Sequence, residues 1–88
     1  MKAKVKLGQA VHIVWLDSHS VGSTVWMIQD EAGEPVLPPI QALGFVVANT
    51  SERLVLAGHT GGGQVACVMA IPQGCIVRIT KLTQVKRV

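Results

Sequence analysis

Charge is what this chain has least of. Asp, Glu, Lys and Arg make up 15% of its 88 residues, against about a quarter in ordinary soluble domains. Apolar residues supply 49%. That balance argues against disorder, because disordered segments bury too little apolar surface to fold. It also leaves a small domain too few charges to coat itself, so exposed apolar patches of the kind that mark contact surfaces are expected. Aromatics are scarce as well: two tryptophans, one phenylalanine and no tyrosine. Stacking platforms for single-stranded nucleic acid use such side chains, and so does the groove in which SH3 domains hold polyproline helices. Trp15, Trp26 and Phe45 are therefore read as core or interface. No apolar run approaches transmembrane length. The basic stretch Met1–Leu7 is followed by no apolar block of the size a signal peptide needs.

Catalytic pairings are missing too. Asp17, Ser18 and His19 are neighbours in sequence, but at a strand end neighbouring side chains point apart, so adjacency makes no triad. His12, His19 and His59 with Cys67 and Cys75 match no zinc spacing. His59-Thr-Gly-Gly-Gly63 is rich in glycine but lacks the Gly-Lys-Ser/Thr that opens the helix of a phosphate-binding loop. No enzyme activity, metal or cofactor is expected. Cys67 and Cys75 both sit in apolar runs and read as free, buried thiols in a reducing, cytoplasmic setting.

What the chain does have is strands. Val11–Leu16 is rich in β-branched and aromatic residues. Thr24–Ile28 reads as a short strand and Gln41–Ala48 as a main one, bent or bulged at Gly44. Asn49–Arg53 is a turn into Leu54–Ala57, and His59–Gly63 a turn into Val65–Ile71. A Pro72-Gln73-Gly74 corner leads to the last strand, Cys75–Leu82. Three prolines and a glycine between Asp30 and Pro39 exclude a long helix there. Turn signals every 8–12 residues and no helix-period segment predict one all-β domain over residues 1–88. It would be a small five-stranded barrel, with an insertion (17–40) between the first two main strands and basic termini at 1–10 and 83–88. Lys2, Lys4, Lys6 and Lys81 lie toward the ends, while all five acidic residues fall between Asp17 and Glu52. The strand Val65–Ile71 is apolar on both parities, which predicts that it is central or covered by another chain.

Trp15-Leu-Asp-Ser18, Leu43–Val47, Leu54–Ala57 and Ala70–Ile79 resemble small Sm-like proteins encoded by bacteriophages, in order and spacing over roughly residues 11–82. The pattern of Ile71, Pro72, Ile76 and Ile79 is the sharpest part and is similar to the second Sm motif. The resemblance implies a strongly bent five-stranded barrel, Sm-like or SH3-like. It also implies a homo-oligomeric ring, in which strand four of one subunit pairs with strand five of the next. Single-stranded RNA in the pore is the ligand it implies, with Asn49, Arg53 and Gln73 as contacts and Arg78 and Lys81 adding charge. Pro72-Gln73-Gly74 stands where typical Sm motifs carry Arg-Gly. A structural or protein-interaction module on the same barrel, without nucleic acid, is the second expectation.

Overall fold

Alternation along the first strand sets up the core. In the computed structural model, which describes residues 2–18, 26–33 and 36–83, β1 runs Ala10–Leu16. Its Val11, Ile13 and Trp15 point to one face and are buried, as period-two geometry requires. A one-turn helix α1, Gln29–Ala32, follows. Then come β2 (Pro39–Asn49), β3 (Arg53–Gly61), β4 (Gln64–Pro72), a 3-10 turn at Gln73–Cys75 and β5 (Ile76–Lys81). The strands form one antiparallel sheet in the order β4-β3-β2-β1-β5.

A single cluster gathers Val11, Ile13, Trp15, Val46, Leu54, Leu56 and Ile71, with Val5, Ile76 and Ile79 packed against it. Ile13, Leu54, Ile71 and Val11 are its fully buried members, and full burial of each such side chain is worth about 1.5–3 kcal/mol. In a flat sheet, with strands about 4.8 Å apart, β4 and β5 would lie about 19 Å from one another. Residues of both touch the same cluster, so the sheet curls. Gly44 permits the curl where β2 crosses β3: a Cβ there would meet the Ala57 carbonyl oxygen at 3.0 Å and Leu56 Cβ at 3.1 Å. The register of β2 against β3 also shifts between Val46 and Ala48.

The curl stops short of closure. No ladder joins β4 to β5, and the expected closed barrel is instead an open sheet with those two strands as its edges. The three-residue turn after Pro72 sends β5 away to pair with β1. An arm, residues 2–9, lies between the last residues of β2 and the segment from Gln73 into β5, and adds no regular strand. Gly8 N–H donates to Val46 O at 2.8 Å, and Val46 N–H donates to Gln9 O at 2.9 Å. Val5 of the arm packs on the core.

Three further expectations change. Residues 26–28 are irregular rather than strand, and none of the five strands pairs with them; residues 24 and 25 lie outside the described residues, as does 84–88 of the basic C-terminus. The turn predicted at His59–Gly63 shrinks to Gly62-Gly63, both at positive φ, and β3 runs on to Gly61. Of the two places expected for Val65–Ile71, the central one falls: β4 is an edge strand, and within one copy most of it is uncovered. Pairing of β2 with β3 ends at Phe45 and Ala57, while β3 and β4 continue together to Gly61 and Gln64. Residues 58–67 are thus a bare two-stranded ribbon reaching about 17 Å past the core at about 3.3 Å per residue. The described residues have a radius of gyration of 16.7 Å, against about 12 Å for a compact chain of this length. Cys67, expected buried, is exposed for this reason.

Candidate functional site

Two regions carry features that a core alone does not explain: the end of the sheet where the arm lies, and the ribbon. At the first, the β2–β3 turn is held by Thr50, whose Oγ1 accepts from Glu52 N and Arg53 N at 3.3 and 3.2 Å. This turn presents Asn49. The 3-10 turn presents Gln73 opposite, its backbone N–H donating to Glu52 O at 3.0 Å. The two side chains meet: Gln73 Nε2 donates to Asn49 Oδ1 at 2.8 Å and to Thr50 O at 2.9 Å. Both also grip the arm. Asn49 Nδ2 donates to Ala3 O at 2.7 Å, and Gln73 Oε1 accepts from Ala3 N–H at 3.1 Å.

Asn49 and Gln73, chosen from the sequence as RNA contacts, are therefore adjacent and half-buried. Their polar atoms are spent on each other and on the arm. Arg53, the third chosen residue, sits at the same end, in register with Pro72 of β4. It is exposed, with Nη1 3.5 Å from Glu52 Oε2, a pair worth little in water.

Arg78 and Lys81 lie by the arm as well. Two hollows flank it. One of about 440 Å³ is lined by Lys2, Lys4, Arg78 and Lys81 over Val5, Ile76 and Ile79. The other, of about 970 Å³, shares Lys2, Lys4 and Lys81 and adds Lys6 over Leu7 and Val47. No acidic and no aromatic residue lines either one. The sequence places Lys2, Lys4 and Lys6 in a basic terminus and Lys81 among the residues adding charge to the RNA site. Their convergence depends on the arm folding back, and the only hint of that was the alternation of Lys2, Lys4 and Lys6 with Ala3, Val5 and Leu7.

The second region is β4. From Gln64 to Ala70 every residue is exposed on both faces, including Val65, Val68 and Met69 at 46%, 56% and 44%. Among the described residues no strand faces its outer edge. At the root of the ribbon Cys67 has φ 56°, a conformation only glycine adopts freely. Gly58 lies across from it, where a Cβ would stand 3.2 Å from Cys67 Cβ.

The remaining candidates stay apart. Asp17 Oδ1 accepts from the Ser18 backbone N–H at 2.7 Å, which is local turn chemistry; His19 lies outside the described residues. His12 Nε2 is 2.8 Å from Gln41 Oε1 on the surface. Among the described residues no three His, Cys, Asp or Glu side chains come together, and no helix is long and apolar enough to cross a membrane. No family model matches the chain, and neither does a curated protein or a solved structure.

Proposed function

We propose that the chain is an Sm-like, ring-forming protein that works first as an interaction module, its copies joined by pairing of β4 with the next copy's β5. The observation that carries this reading is β4 itself, an edge strand bare and apolar on both faces. An isolated two-stranded ribbon is marginal in water, and a long apolar edge is a template for another strand. The two unpaired edges of the sheet, β4 and β5, are the two that the resemblance to Sm-like rings requires. The free thiols Cys67 and Cys75 suit a cytoplasmic setting.

Sedimentation of the native protein tests it, expected to give a multiple of the 9.3 kDa chain. Val68→Asp is expected to leave a folded monomer, because Val68 contributes little to the core of one copy, while an unpaired charge in a strand interface costs several kcal/mol. A wild-type monomer at all accessible concentrations would sink the reading.

Single-stranded RNA is the second reading. It is favoured by Arg78 and four lysines, Lys2, Lys4, Lys6 and Lys81, that converge beside the Asn49–Gln73 end of the sheet. Binding of this kind weakens steeply with salt, whereas apolar strand pairing does not, so an anisotropy titration at two salt concentrations separates the two readings.

A further inference from the structure

The chain carries two surfaces of opposite charge, each with an apolar component. The first is the pair of hollows along the arm, rimmed by Lys2, Lys4, Lys81 and Arg78 over an apolar floor. The second is the connection between β1 and β2. Four of the five acidic residues, Asp17, Asp30, Glu31 and Glu34, belong to it. Its apolar side chains stand in solvent: Trp26 is 98% exposed, Ile28 67% and Val36 86%. The helix α1 between them buries nothing, and four helical residues do not hold themselves together in water. This segment has the composition of something that packs, and in one copy none of its described apolar side chains from Trp26 to Leu37 is buried.

We propose that the β1–β2 connection of one copy docks into the lysine-rimmed hollows of a neighbouring copy, with Trp26 and Ile28 on the apolar floor and Asp30 and Glu31 against Lys2, Lys4 and Lys81. Charge complementarity selects this occupant. The hollows gather four or five cations and no carboxylate, so they repel one another until an acidic group enters. The larger one, about 970 Å³, has ample room for an indole. Nucleic acid fits less well, because no aromatic side chain lines either hollow to stack a base. The docking rests on the reading that copies assemble; the larger hollow touches β5 only at Lys81, so an occupant there leaves the β5 edge to the next copy's β4.

The test uses the full chain and the fluorescence of Trp26, isolated as the difference between wild type and Trp26→Phe. That substitution is at an exposed site and leaves the buried Trp15 in place. In the assembled protein, Trp26 emission is expected to be blue-shifted and its acrylamide quenching several-fold weaker than in dilute monomer. Asp30→Lys with Glu31→Lys is expected to abolish that protection, as is Lys2→Glu with Lys4→Glu. Combining the four changes restores part of it, because Lys2→Glu and Lys4→Glu turn the four positive charges of each hollow into two of either sign, which no longer repel the two introduced lysines. High salt weakens the protection, since exposed charges are screened beyond about 10 Å at 0.1 M. An oligomer whose Trp26 is quenched as freely as in the monomer, or whose charge-exchanged form stays unprotected, overturns the docking and leaves edge pairing standing. A monomer by sedimentation overturns both. Lysine variants that lose binding of a single-stranded oligonucleotide without moving Trp26 also overturn it, and assign the hollows to nucleic acid.

Discussion

Replacing Gln73 by alanine should unlock the arm. The side chain makes three hydrogen bonds, to Ala3 N–H, Asn49 Oδ1 and Thr50 O at 3.1, 2.8 and 2.9 Å. Each such bond contributes about 1 kcal/mol net. The site is only half-buried, so water replaces part of what is lost, and Gln73→Ala should cost about 1–2 kcal/mol. For a domain of this size that lowers the melting temperature by about 4–16 °C. Asn49→Ala should act through the same network, so the double variant should lose less than the sum, with a coupling of about 0.5 kcal/mol or more. Assembly adds stability that depends on concentration, so the comparison belongs in the monomeric Val68→Asp background. The assay is thermal unfolding by circular dichroism, paired with amide exchange at Ala3, whose protection should fall. If Gln73→Ala melts with its parent and Ala3 exchanges no faster, the hydrogen bonds do not hold the arm and the reasoning fails.

Other perturbations address separate parts of the molecule. Gly44→Ala should destabilise by about 1–3 kcal/mol through overpacking against the Ala57 carbonyl, measured by urea unfolding; a wild-type midpoint would show that β2 can move aside. Cys67→Gly should be neutral or stabilising, while Cys67→Val should cost about 1 kcal/mol or more, because a β-branched residue tolerates positive φ least; equal melting temperatures for the two would refute strain at the ribbon root. If RNA binds at the Asn49–Gln73 end, Arg53→Ala should weaken it at high salt more than Lys6→Ala does, in an anisotropy titration; the reverse order would point to diffuse charge alone.

The strands were largely legible because their signal is local. β1 and β2 alternate or run apolar between turn residues, and Asn49–Arg53 and Pro72–Gly74 turn the chain about where predicted. The ribbon was half legible. Two apolar parities in Val65–Ile71 predicted a strand that needs cover, but nothing local says that β3 continues through His59 and Thr60 or that the pair leaves the core. The openness of the sheet was not legible, since whether β4 reaches β5 depends on curvature summed over five strands. The candidate site shows the same division. Asn49 and Gln73 were identified as polar residues at two turns that the fold brings to one end. Their engagement with Ala3 was not, because a short basic segment with three apolar residues reads equally as tail or strand until something is there to receive it.

The sheet has two unlike edges, and that has a consequence for growth. If β4 of one copy pairs with β5 of the next, every open chain of copies, however long, still ends in one unsatisfied β4 and one unsatisfied β5. A dimer relieves nothing at its ends, so no small intermediate is a resting point. Growth stops only when curvature brings the last β5 round to the first β4; otherwise it runs on as a filament. The assembly is therefore polar, and it can be poisoned from one end. A copy with a sound β5 but a blocked β4 joins at one edge and offers nothing at the other, so a substoichiometric amount of it should terminate growth rather than dilute it.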